Sequence, residues 1–206
     1  MVRIKICGIT NLNDAIMAES FGADALGFIF YPASKRFIEA EKAKSIIEQL
    51  NPFICKVGVF VNKSVEEINM VSQLCGLTHV QLHGEESVES VVKPEIPVIK
   101  ALSYDENLDS QLKVWVNFSL LIDSGNKIER GGTGKTLPWK SLAPRIKNKK
   151  IILAGGLTED NVVEAIKIIK PLAVDVSSGV EKSPGIKDPI KLKKFIERVR
   201  EINEIL

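Results

Sequence analysis

Two patterns of apolar residues alternate along the chain. Short runs rich in Val and Ile give way to stretches where apolar positions recur every three or four residues. The runs at 3–7, 25–29, 55–61, 79–82, 98–101, 120–123, 151–154 and 173–176 read as strands. Helices are expected at 12–21, 39–50, after the capping Ser64, from about Glu86, and at 107–116, 139–143 and 159–169. The last helix starts near Pro189 and sets Leu192, Phe195, Val199, Ile202 and Leu206 on one face. Punctuation agrees with these limits: Asn11 can cap the first helix, Gly22 can end it, and Pro52 stops the second.

This makes eight strand–helix units in order. A strand that returns to the same sheet through a helix pairs in parallel, because the connection crosses over. Eight such units predict an α/β fold, a closed (β/α)8 TIM barrel forming one domain over 1–206. The rival is an open doubly wound sheet, which usually carries a glycine-rich turn after its first strand. Here that turn, Cys7-Gly8-Ile9-Thr10, has a single glycine.

Composition narrows the picture further. A net charge of +2 gives no sign of a nucleic-acid binder. Charges interrupt the N-terminal apolar run, and no stretch reaches the ~18 apolar residues of a membrane span. Three separated cysteines, Cys7, Cys55 and Cys75, suggest neither a disulfide framework nor a zinc site and suit a reducing cytoplasm.

In a barrel the chemistry sits at the C-terminal ends of the strands. That rule selects Cys7, Arg36, His83, Asp123, Gly155-Gly156 and the segment from Asp175 to Gly179. Gly155-Gly156 and Ser177-Ser178-Gly179 follow strands seven and eight, where barrels often bind phosphate. The alternative is a pair of tight turns that need φ > 0. Cys7 is either a small buried apolar residue or, with a modest downward pKa shift, a general base. Asp123 is either a loop brace or a general acid whose pKa must rise. Arg36 is an exposed cation or a bidentate carboxylate clamp. His79 and His83 fall ~13 Å apart along one strand, too far to share a metal ion, and His83 either bonds substrate or braces a loop. The segment Gly131-Gly132-Thr133-Gly134-Lys135-Thr136 has Glu129 where a nucleotide P-loop needs glycine. It reads instead as a loop that folds over a substrate, or as a plain turn.

Taken in order, these segments resemble the phosphoribosylanthranilate isomerase family. Lys5-Ile6-Cys7-Gly8-Ile9-Thr10 is similar to its opening signature. Gly27-Phe28-Ile29-Phe30-Tyr31-Pro32, Ser34-Lys35-Arg36, Gly58-Val59-Phe60-Val61-Asn62 and Val80-Gln81-Leu82-His83-Gly84 follow. Then come Leu121-Ile122-Asp123, the glycine-rich loop, Ala154-Gly155-Gly156-Leu157 and the run from Asp175 to Glu181, with Pro184-Gly185 after it. The match is poor over 103–117 and 139–149. The resemblance implies a cofactor-independent Amadori rearrangement of a small phosphoribosyl substrate in tryptophan biosynthesis, with no metal, nucleic acid or membrane involved. It implies Asp123 as general acid, Cys7 as general base, and Arg36 near the substrate carboxylate. His83 and Asp175 would contact substrate, Gly155, Gly156, Ser178 and Gly179 would hold phosphate, and Gly131, Gly132 and Gly134 would cover the site. Either a monomer or a homodimer would fit. Two other readings stay open: a different phosphosugar barrel, including a Schiff-base lyase using Lys100, and a barrel that binds without turnover.

Overall fold

The computed structural model describes residues 1–89, 95–125, 136–147 and 149–205. Eight parallel strands close into a barrel in sequence order, each hydrogen-bonded to the next and the eighth to the first. They are β1 (Arg3–Cys7), β2 (Ala25–Ile29), β3 (Cys55–Phe60), β4 (His79–Leu82), β5 (Val98–Ser103), β6 (Ser119–Asp123), β7 (Ile151–Leu153) and β8 (Ala173–Val176). The helices are α1 (Leu12–Phe21), α2 (Ala40–Ile47), α3 (Val65–Cys75), α4 (Leu108–Val114), α5 (Trp139–Arg145), α6 (Val162–Ile169) and α7 (Pro189–Ile205). The open-sheet alternative is excluded by the β1–β8 pairing, which runs from Arg3↔Ala173 to Ile6↔Val176. A two-stranded antiparallel hairpin, β9 (Glu181–Ser183) and β10 (Ile186–Lys187), follows β8 and was not expected.

Local chemistry explains most element ends. Asn11 accepts from Asp14 N–H to start α1, and Gly22 closes it in the left-handed conformation at φ 101°. Ser64 and Glu67 form a reciprocal capping box on α3. Four strand ends differ from expectation, with β3 stopping at Phe60 and β6 starting at Ser119, one residue off each. β5 runs on to Ser103 because Leu102 and Ser103 pair with Ile122 and Asp123, and β7 stops at Leu153. Three helices come out shorter. α6 begins at Val162, because Asn161 Oδ1 accepts from Thr158 N–H and holds a turn ahead of it. α2 ends at Ile47, and α4 spans only Leu108–Val114. Of the helix expected from about Glu86, residues 90–94 lie outside the described residues, and Leu206 does too.

Strand alternation splits the buried residues into two layers. Ile4, Ile6, Leu26, Phe28, Leu120, Ile122, Val174 and Val176 face outward and pack with the helices in the main core. Inside the barrel lies a smaller cluster of Val57, Ile99, Ala101, Leu121 and Ala154. Lys5, Cys7, Gln81, Asp123 and Asp175 share the inward parity, so the interior is polar towards its C-terminal end.

Candidate active site

A cleft at the C-terminal end of the strands is lined by Cys7, Tyr31, Arg36, His83, Asp123, Asp175 and Ser177, among others. Cys7 closes β1 and is buried. Its neighbour across the sheet is Gly27, and a Cβ there would come within 2.6 Å of the Cys7 sulfur. The absent side chain on β2 is what gives the thiol its room. The downward pKa shift expected for Cys7 is not found. Burial pushes the thiol above its ordinary value, the Lys5 ammonium opposes this, and the Asp175 carboxylate adds to the rise.

Asp123 ends β6 and is 6% exposed. Its Oδ1 accepts from Gly125 N–H at 3.2 Å, and its Oδ2 lies 3.6 Å from His83 Nε2. Gln81 Nε2 sits 3.2 Å from His83 Nδ1. A Gln81 amide donating there keeps the ring proton on Nε2, facing Asp123. Burial lowers the His83 pKa, against the pull of the Asp123 and Asp175 carboxylates. His79, at the other end of β4, bonds Thr78 Oγ1 and lines a different cavity.

Two buried lysines at the site, Lys5 and Lys187, were missed by sequence reasoning. Lys5 donates to Asp175 Oδ1 at 2.8 Å inside the barrel. Burial alone would lower its pKa, but Asp175 and then Cys7 outweigh that and raise it. Lys5 shares strand parity with Cys7, and that was the available signal. Lys187, fully buried on β10, donates to Cys7 O at 2.6 Å and to Glu181 Oε1 at 2.9 Å. Lys100 was noted only as a Schiff-base candidate, and the structure corrects that reading. Its neighbours Ile99 and Ala101 face inward, so Lys100 points to the outer layer. There it donates to Gly84 O and Glu86 Oε2, both at 2.6 Å, and lies over the Trp115 ring.

Arg36 is not an exposed cation. Its stem rests against Gly8, where a Cβ would come 2.6 Å from Arg36 Cδ. Its Nε and Nη2 donate to the Glu181 carboxylate at 2.8 to 3.1 Å. Beside the cleft, Gly155, Gly156, Ser178 and Gly179 line a small cavity together with Asp175. Gly155 and Gly156 have φ of 85° and 63°, and Ser178–Val180 forms a single 3-10 turn. Among the described residues, the N–H groups of Gly156, Ser178 and Gly179 make no hydrogen bond to protein. Three free donors on one wall are suited to an anion. Gly131, Gly132 and Gly134 lie outside the described residues.

A closed barrel with a thiol, a carboxyl, an imidazole and an arginine at the C-terminal mouth defines a (β/α)8-barrel enzyme. The profile of the N-(5'-phosphoribosyl)anthranilate (PRA) isomerase family matches residues 4–198. N-(5'-phosphoribosyl)anthranilate isomerase of Pelobacter propionicus is 46% identical over 202 residues, 98% of this chain and 97% of that one. A crystal structure of phosphoribosyl anthranilate isomerase in complex with reduced 1-(o-carboxyphenylamino)-1-deoxyribulose 5-phosphate is 42% identical with a TM-score of 0.88, covering 98% of this chain and 100% of that one. Monomers generated from the dimeric Thermotoga maritima enzyme give 42% identity and a TM-score of 0.87 over the same shares. The chain belongs to the phosphoribosylanthranilate isomerase family.

Proposed function

We propose that this chain, working as one domain over 1–206, converts N-(5'-phosphoribosyl)anthranilate to 1-(2-carboxyphenylamino)-1-deoxyribulose 5-phosphate, a step of tryptophan biosynthesis. The observation that carries this reading is the shared cleft of Cys7, Arg36, His83 and Asp123 beside free backbone donors. Asp123 gives its proton to the furanose ring oxygen as the bond from that oxygen to C1 breaks. The anthranilate nitrogen lone pair forms the C1=N bond. The Cys7 thiolate then takes the C2 proton, and the C2–H electrons form the C1=C2 bond of an enolamine. Loss of the C2 hydroxyl proton and protonation at C1 give the ketone. A thiol whose pKa is raised by burial yields less thiolate, but each thiolate is a stronger base towards a carbon acid.

Gly155, Gly156, Ser178 and Gly179 would hold the phosphate, and the end of Arg36 would meet the aromatic carboxylate. Asp175 and His83 would contact the ribosyl hydroxyls. No helix of the described residues is long and apolar enough to cross a membrane. A cytoplasmic setting fits free cysteines at positions 7, 55 and 75. The test is turnover of phosphoribosylanthranilate, generated in place, by purified protein in the presence of a chelator. The reading expects the aminoketose as product. Failure of folded protein to make it would contradict the assignment.

The opposite, N-terminal end of the barrel supports a homodimer. A cavity of about 630 Å³ opens there, lined by Val57, Ile99, Ile152, Ala173 and the stem of Lys5. Phe53 stands at its rim, 94% exposed. A large exposed aromatic side chain beside a depression with apolar residues in its lining suits an isologous contact about a twofold axis. The Thermotoga maritima relative is dimeric.

A further inference from the structure

The hairpin β9–β10 places a buried carboxylate between two buried cations. Glu181 and Lys187 have side chains 4% and 0% exposed, and Arg36 is 13% exposed. Glu181 takes Arg36 side-on, through Nε and Nη2. Lys187 ties the same carboxylate to the carbonyls of Cys7 and Ser177, at the ends of β1 and β8. Gly185 N–H also donates to Glu181, and Lys187 N–H anchors the hairpin to Asp14 of α1.

A guanidinium has two edges that can grip a carboxylate with paired N–H groups. With the Nε edge occupied, only the end-on edge, Nη1 with the second Nη2 hydrogen, is available to a ligand. Gly8 fixes the stem and Glu181 fixes the plane, so that edge is held at the cleft. Charge leads to the same conclusion. Arg36, Glu181 and Lys187 together carry one net positive charge, which one substrate carboxylate neutralises. An ion pair serving only to pin the hairpin would not need a partner that lines the cleft beside Cys7.

We infer that Glu181, braced by Lys187, is a positioning residue that presents the end-on edge of Arg36 to the aromatic carboxylate and so sets the preference for substrates that carry one. This rests on the reading that Arg36 meets that carboxylate. Two probes separate the claims: the amines made by reductive amination of ribose 5-phosphate with anthranilate and with aniline. They differ only in the carboxylate. Their Kd values are measured by calorimetry on the wild type, Glu181→Gln and Arg36→Met.

Glu181→Gln should weaken the anthranilate probe about tenfold or more, the scale of a charge-assisted hydrogen bond, and leave the aniline probe within about twofold. Arg36→Met should collapse the preference for the anthranilate probe altogether. Equal weakening of both probes in Glu181→Gln would mean a merely structural role and would overturn the inference. So would an unchanged preference in Glu181→Gln alongside a collapse in Arg36→Met. An unchanged preference in Arg36→Met would sink the carboxylate reading of Arg36 itself. If Glu181→Gln does not fold, Glu181→Asp keeps the charge one methylene short, and the same comparison applies to it.

Discussion

His83 Nε2 on the β4 loop stands 3.6 Å from Asp123 Oδ2 at the end of β6, reaching past β5 to do so. Burial holds the His83 pKa below the ordinary value of 6.5, with the Asp123 and Asp175 carboxylates opposing. The unfolded chain therefore binds a proton here more readily than the folded one. Stability from this group is complete above about pH 6.5 and is lost as pH falls below it. His79 acts in the same direction through burial alone. The depressed carboxylates Glu86 and Glu181 act in a separate window, lower in pH. The melting temperature of the wild type should fall more between pH 7 and 5.5 than that of His83→Gln. Parallel curves would contradict this.

The thiol makes the opposite kind of prediction. Cys7 has its pKa raised, by burial first. Iodoacetamide should alkylate it half-maximally at a pH above that of an ordinary thiol, with the Cys7→Ser rate subtracted to remove Cys55 and Cys75. In Lys5→Met the midpoint should move further up, because a cation that opposes the rise is gone. A Cys7 that reacts as thiolate at neutral pH would show the reverse.

The two loops proposed to hold phosphate pack on each other. A Cβ at Gly179 would run into Leu157 O, a backbone atom that can move only with its loop. Gly179→Ala should raise KM for the phosphorylated substrate and Ki for inorganic phosphate together, each by about tenfold or more, the scale of a displaced charge-assisted contact. A rise in KM with Ki unchanged would place the phosphate elsewhere.

Much of this was legible in the residues, and the gaps have a common cause. β1, β2, β4 and β8 fall where the apolar runs put them, because each is bounded by a turn or cap that the chain announces. The mouth residues follow from strand ends alone, given the barrel. Glu181 was not legible as the partner of Arg36, which lies 145 residues away, nor was Lys187 as the partner of Glu181, because both sit in a hairpin with no apolar pattern. α5 was faint for a local reason. It lacks a side-chain cap and carries Pro144 inside, so packing of Leu142 sustains it more than its sequence does.

Phe53 offers a test of assembly that leaves the mouth untouched. Phe53→Asp replaces the exposed aromatic side chain at the rim of the N-terminal cavity with a charge. Light scattering should give a dimer for the wild type and a monomer for the variant, with kcat within about twofold of the wild type. A wild type that is monomeric at tens of micromolar would contradict the proposed interface.

The most direct test of the account is the loss of anthranilate fluorescence as phosphoribosylanthranilate is consumed by the wild type, Cys7→Ser and Asp123→Asn. A positioned acid or base contributes roughly 10²–10⁴-fold. The account predicts rapid loss with the wild type and a fall in kcat of at least that order in each variant, with the barrel still folded. Full activity in either variant would contradict the acid and base roles assigned here.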